Sequence, residues 1–283
     1  MQYTILRLNH TLEKGMSMRN PRKGFGQQKA VRLIELLNHY CDLYLSSDKN
    51  FLQYPISTIY SYISYTIASG VEMPGIQDAF KRLINKIGLD CKDSLGGIVT
   101  VTKGEILKNA SGNFESLLES RHSIRYFDSE VPQREKIEQA LRLAQKTPSA
   151  CNRQGWKTHV FMCDKSVELL RWQGGCNGFE EEIKCAILVT ANLKAFFYYE
   201  VHQAYVDGGL YAMNLINAIH SLGLGTIPLS VGFKYKKLQE LSCKFGIPEN
   251  EVPIVIIGVG VLQDRFKIAV SERKKIDITN TYH

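Results

Sequence analysis

The chemistry this chain could perform is concentrated in four short segments. The first is Arg121-His122-Ser123-Ile124-Arg125-Tyr126-Phe127. Drawn out as a strand, it would project Arg121, Ser123 and Arg125 to one side and Ile124 and Tyr126 to the other. Two guanidiniums and a hydroxyl on one face make a receptor for a phosphate and for the polar edge of a ring, although alternating charge also marks a solvent face. The second segment is Thr147-Pro148-Ser149-Ala150-Cys151-Asn152-Arg153-Gln154-Gly155-Trp156. Pro148 stops a helix there, and Ser149, Asn152 and Gln154 offer donors and acceptors on a turn; the same residues would also suit an ordinary helix-to-strand loop. The third, Gly223-Leu224-Gly225-Thr226-Ile227-Pro228-Leu229-Ser230, carries glycines that let backbone approach a flat ligand. The fourth, Ser271-Glu272-Arg273-Lys274-Lys275-Ile276-Asp277, is a basic knot or a solvated charge run.

Other constellations are weaker. Cys151 with His159 as base would form a nucleophilic pair, but no third orienting group is evident, and a buried structural thiol is the simpler reading. Glu180-Glu181-Glu182 has no His or Asp spaced to complete a metal site and reads as a solvated face. His39, His202 and His220 fall on helical patterns as satisfied polar residues. Gly258-Val259-Gly260 lacks the third glycine and the following helix of a dinucleotide fingerprint.

These segments must be positioned by elements of two textures. Residues 1–110 read as mostly helical. Gln27 to Leu45 carries an apolar stripe at Val31, Ile34, Leu37 and Cys41, Phe51 to Ala68 fits a helix or a strand, and Pro74-Gly75 opens a helix that Gly88 closes after Ile87. Residues 89–113 read as loop and linker. Beyond them helix and strand alternate. A helix follows Val131-Pro132, with Ile137, Ala140, Leu141 and Ala144 on one face. Strands are expected over Trp156–Cys163, Cys185–Asn192 and Pro253–Leu262, extended chain over Thr226–Val231, and a helix over Tyr235–Phe245. A long helix over Tyr199–Leu222 is apolar almost all round, so it must be buried in the fold or against another chain. The class is α+β on one sheet.

Composition bounds the rest. A chain of 283 residues with 44% hydrophobic and 22% charged residues is ordinary globular material of one or two domains. No apolar run approaches the ~20 residues of a membrane-spanning helix, and no secretory signal pattern opens the sequence. Seven scattered cysteines without a CxxC argue against a disulfide framework or a structural zinc, and a reducing, cytoplasmic setting is expected. The net charge of +7 is partly local: residues 1–40 hold seven basic residues against two acidic ones. That suits an anionic partner or a solvated basic face, but no nucleic-acid-binding motif accompanies it.

The four segments, in this order and at these separations, resemble the nitroreductase family of flavin mononucleotide (FMN) enzymes over roughly residues 114–278. The resemblance rests on Arg121 to Asp128, then Val131-Pro132, then Pro148-Ser149-Ala150 with Asn152, Gln154 and Trp156, then Asp207-Gly208-Gly209-Leu210 and Gly223 to Thr226. Gly155 stands where many members have proline, and Lys274-Lys275 replaces a usual Lys-Pro. The resemblance implies a nitroreductase-like fold: a central, mainly antiparallel sheet flanked by helices over 114–283, behind an N-terminal helical extension over 1–110. Arg121, His122 and Ser123 would hold the flavin phosphate and ribityl groups. Arg125 would lie at the pyrimidine edge and stabilise the negative charge that reduction brings there. Pro148, Ser149, Ala150 and Asn152 would line the ring and its polar edge, Pro228, Leu229 and Ser230 its other side, and Arg273 would close on the phosphate. The implied activity is FMN-dependent hydride transfer from NAD(P)H to a small acceptor, with no catalytic acid from the protein, in a homodimer with flavin at the subunit interface. Within the extension, His10 to Gly15 and Gly24-Phe25-Gly26 are similar to a subgroup of bacterial nitroreductase-like proteins found in surface polysaccharide gene neighbourhoods. The alternatives are a flavin-binding accessory module and a specialised flavin dehydrogenase or dehalogenase in a biosynthetic pathway.

Overall fold

The computed structural model of the chain describes residues 1–16, 21–45, 49–88, 95–98, 113–264, 276 and 280–283. The chain forms two compact units. One comprises residues 1–112 with 149–154, the other residues 113–148 with 155–283.

The first unit is built of α1 (Gln2–Met16), α2 (Gln27–Tyr44), α3 (Lys49–Ala68) and α4 (Pro74–Ile87). The stretch that fits either a helix or a strand becomes α3. Its buried positions Leu52, Ile56, Ile59 and Ile63 recur at helical spacing, and Pro55 is accommodated inside the helix. At α4, Pro74 sits in the first turn and Gly88 closes the end at φ 63°, its N–H donating to the Ile84 carbonyl. Leu12, Leu33, Leu37, Leu52, Ile59 and Leu83 form the fully buried centre of this unit. Of the linker expected over 89–113, only 95–98 and 113 lie among the described residues.

The second unit contains α5 (Phe114–Ser120), α6 (Arg134–Ala144), β1 (Trp156–Met162), α7 (Asp164–Gln173), β2 (Cys185–Asn192), α8 (Gln203–Ser221), β3 (Leu224–Ser230), α9 (Tyr235–Phe245) and β4 (Glu251–Val261). The strands run in the order β1-β2-β4-β3, and every neighbouring pair is antiparallel. The expected α+β architecture, an antiparallel sheet flanked by helices, is therefore present. The two-residue period of the strands divides the core. Cys185, Ile187, Val189, Ile257 and Val259 pack with α6 and α8 on one face. Ala186, Leu188 and Ile256 pack with α7 and α9 on the other. A strand buried on both faces is why β2 reads as an unbroken apolar run. Among the described residues, no helix is long and apolar enough to cross a membrane.

Several boundaries differ from those the sequence suggests, three of them for identifiable reasons. Helix α8 starts at Gln203, not Tyr199, because a turn intervenes: Glu200 N–H donates to Phe197 O (2.9 Å), and Phe197 N–H donates to the Glu200 carboxylate (2.7 Å). Strand β1 ends at Met162, since Cys163 turns to φ 49° and starts α7, an element the sequence reading leaves out. Strand β3 begins at Leu224, so Gly223 alone, at φ 77°, makes the turn out of α8. Helix α8 rides close on β4 because residue 208 is glycine; a Cβ there would sit 2.6 Å from Ile254 Cγ1.

His159 belongs to a polar cluster across β1, β2 and β4. Its Nε2 lies 2.7 Å from Glu251 Oε2, which also accepts from Thr190 Oγ1 at 2.5 Å. The ring is thus engaged by a buried carboxylate. Glu251→Ala would strip buried Thr190 of its acceptor and should cost about 1–3 kcal/mol. Denaturant unfolding measures this, with Glu251→Gln expected to lose less.

Candidate functional site

The segment 121–128 is held on the sheet by both backbone and core. Ile124 N–H donates to Thr226 O (2.9 Å), Ser123 makes a parallel bridge with Thr226, and Asp128 N–H donates to Val261 O (2.9 Å). The chain thus covers the exposed edge of β3, which would otherwise be left unpaired. Ile124 (4% exposed) and Phe127 (1%) are its anchors. Strict alternation fails here: Tyr126 is 52% exposed, and Phe127, not Tyr126, joins Ile124 in the core. The reason is a slot made by two glycines. Gly225 and Gly260 are register partners on β3 and β4. A Cβ on Gly260 would lie 2.3 Å from Phe127 Cγ, and one on Gly225 would lie 2.9 Å from Phe127 Cε1 and 3.1 Å from Ile124 Cγ1. Gly258-Val259-Gly260, incomplete as a nucleotide motif, is in fact part of the seat for this strand.

The anchored segment carries Arg121 and Arg125 without counter-charges among the described residues. No hydrogen bond or ion pair joins the side chain of Arg121, His122 or Arg125 to another described residue. Arg121 and His122 lie near His220 at the end of α8. Burial, then Arg121, then His122 hold the His220 imidazole below its usual pKa, and Ser120 Oγ lies 2.8 Å from its Nε2. Beside Ser123, the buried Thr226 hydroxyl has no hydrogen-bond partner. Arg121 beside His122 near His220, with an orphaned hydroxyl on the neighbouring strand, suits an anionic, oxygen-rich ligand such as the phosphate and ribityl chain of a flavin.

Further along β3, Pro228 and Ser230 are exposed while Leu229 is buried in the core, so Leu229 has only its backbone to present. The Ser230 carbonyl accepts from Gln173 Nε2 (2.9 Å). Pro148 is exposed just after α6, where Thr147 Oγ1 donates to Ala144 O and accepts from Asn214 Nδ2 of α8, both at 2.7 Å. The second unit therefore brings 121–125 next to β3. Ser149, Ala150 and Asn152 fall in the first unit, and Arg273 lies outside the described residues.

The 149–154 loop is conformationally unusual. Cys151, Asn152 and Gln154 take φ of 52°, 51° and 50°. Asparagine tolerates this region, whereas Cys and Gln adopt it at a cost. The Ser149 hydroxyl accepts from Gln154 N–H (2.9 Å), and Asn152 N–H donates to Ser149 O (3.0 Å). Asn152 Nδ2 donates to the Tyr54 hydroxyl (3.2 Å), which donates to Glu13 Oε2 (2.6 Å). Sequence reasoning missed Tyr54 and Glu13, which lie 98 and 139 positions from Asn152 and match no motif. Gly155, next in the chain, is crowded: a Cβ would lie 2.9 Å from both Ala195 and Phe196.

Residues 118–195 match the model of the nitroreductase family. A protein of Archaeoglobus fulgidus named "Putative NADH dehydrogenase/NAD(P)H nitroreductase" is 28% identical over 152 residues, covering 52% of this chain and 84% of its own length. The fold is similar to that of a Streptococcus pneumoniae nitroreductase family protein (TM-score 0.50, 21% identity, 60% of this chain and 100% of the other). It is also similar to a crystal structure described as "a putative nitroreductase in complex with fmn" from Desulfovibrio desulfuricans (TM-score 0.54, 19% identity, 62% and 98%). Residues 118–195 thus match the nitroreductase family, and the fold of the second unit is similar to that of nitroreductase family proteins.

Proposed function

We propose that the protein is an FMN-dependent oxidoreductase that carries hydride from NAD(P)H to a small acceptor. The observation that carries this is the pair of guanidiniums, Arg121 and Arg125, without an ion-pair partner among the described residues, on the segment anchored at Thr226 on the edge of β3. Arg121, His122, Ser123 and Arg273 would hold the phosphate and ribityl chain. Arg125 would face the pyrimidine edge, with Pro148, Ser149, Ala150 and Asn152 along the ring and the 228–230 backbone on its other side. Bound FMN supplies the two-electron chemistry: NAD(P)H leaves as NAD(P)+, and the acceptor gains two electrons with a proton from solvent. The protein's part is to bind, orient and provide positive charge. With no dinucleotide fingerprint in the chain, the nicotinamide acts as a visiting substrate.

A homodimer fits the open face of α8, where Tyr205, Val206, Leu210 and Met213 are exposed together. A cytoplasmic setting accords with the free thiols of the six described cysteines. The test is anaerobic titration of the FMN-loaded protein with NADH and NADPH. Bleaching of the flavin band and its recovery on adding an acceptor are expected. Full flavin occupancy with negligible bleaching by either nucleotide would favour the accessory-module reading instead.

A further inference from the structure

The extension's strongest polar feature is a half-buried chain of side chains ending at Asn152. Glu13 on α1 is saturated with donors: Tyr54 OH at 2.6 Å, Thr58 Oγ1 at 3.2 Å and Gly97 N–H at 3.0 Å. A carboxylate only accepts, so the Tyr54 proton points at Glu13 and the phenol oxygen is left to receive Asn152 Nδ2 (3.2 Å). The direction of each bond is thereby fixed, and so is the orientation of the Asn152 amide. Its Oδ1 faces the other way, toward Gln154 Nε2 at 3.3 Å. Burial, then the hydrogen bond and charge of Glu13, push the Tyr54 pKa up to about 12, so the phenol keeps its proton throughout the working range. The arrangement is tightly built. A Cβ on Gly96 would lie 2.6 Å from the Tyr54 carbonyl oxygen. Asn9, one turn before Glu13, is fully buried beside the Tyr54 hydroxyl.

A loop with three left-handed non-glycine residues persists only where its surroundings over-determine it. We propose that Glu13 and Tyr54 are positioning residues: they set the amide of Asn152, a residue assigned above to the flavin ring, and hold the 151–154 backbone in its strained form. This rests on the flavin reading above. It gives the extension a task inside the oxidoreductase, where a dispensable appendage would have none.

The test is a double-mutant cycle on FMN affinity, with the visible spectrum of bound flavin as a second readout. The full-length proteins compared are the parent, Tyr54→Phe, Asn152→Ala and the double variant. Tyr54→Phe keeps the ring and loses the hydroxyl that donates to Glu13 and accepts from Asn152, so about 10-fold weaker FMN binding is expected, with an altered flavin spectrum. Because Tyr54 acts through Asn152, adding Tyr54→Phe to Asn152→Ala should change affinity less than about 2-fold. Penalties that add in full, or a Tyr54→Phe protein with parental affinity and spectrum, would overturn the proposal while leaving the flavin reading intact. A parent protein that binds no FMN would overturn both. Should thermal melts show Tyr54→Phe to be unfolded, Glu13→Gln, which keeps the side-chain shape, takes its place in the same cycle.

Discussion

Gly260→Val is expected to unseat the arginine-bearing strand. A Cβ at position 260 would fall 2.3 Å from the Phe127 ring, far inside van der Waals contact. Phe127 is fully buried and, with Ile124, is what keeps 121–128 on the sheet. The ring cannot shift freely, since β3 with Gly225 closes the same slot. Forcing extra methyl groups into a packed core costs about 1–3 kcal/mol. The displaced strand would carry Arg121 and Arg125 with it. Denaturant unfolding should therefore show a lower midpoint, and FMN titration at least ~10-fold weaker binding, the equivalent of ~1.4 kcal/mol. Gly75→Ala, where an added Cβ meets nothing within 4 Å and only helix propensity changes, should lower neither. Unchanged stability in Gly260→Val would mean that the glycine slot does not set the strand's position.

Removing a single arginine should separate the two halves of the ligand. Charge-assisted hydrogen bonds to an ionised group contribute about 1.5–3 kcal/mol. Arg121→Ala should accordingly weaken FMN binding by about 10- to 100-fold while leaving riboflavin, which lacks the phosphate, unaffected. Arg121→Lys should recover only part of the loss, because an ammonium cannot form the two parallel bonds of a guanidinium. Arg125→Ala should weaken both ligands. It should also lower the flavin midpoint potential by about 30 mV or more, the two-electron equivalent of ~1.4 kcal/mol, because the positive charge opposite the reduced ring edge is gone. Titration calorimetry and spectroelectrochemistry read these two results. Equal losses for FMN and riboflavin in Arg121→Ala would remove that residue from the phosphate.

Much of this architecture is visible in the sequence, for identifiable reasons. Strand β2 is apolar at successive positions because both its faces are covered, and α4 carries its own start and stop in Pro74 and Gly88. The β-prone Tyr, Ile and Thr of α3 left its state open; only packing at Leu52, Ile56, Ile59 and Ile63 decides it. The place of 147–156 between a helix and a strand was legible, but the orientation of 121–128 was not. Tyr126 and Phe127 are both aromatic, and only the register of Gly225 with Gly260 tells which of them enters the core. Tyr54 and Glu13 were invisible for a related reason. Nothing local marks them, and their meaning comes from a hydrogen-bonded chain assembled from distant positions. The 149–154 loop likewise reads as a link between α6 and β1, whereas it packs as part of the first unit.

The central claim is that the cations beside β3 form a cradle for a flavin phosphate. Titration of the full chain with FMN and, in parallel, with riboflavin, followed by visible absorbance and fluorescence quenching, tests it most directly. Saturable FMN binding about 100-fold tighter than riboflavin binding is the predicted result. Two ligands that bind alike, or a protein that takes up neither, would contradict it.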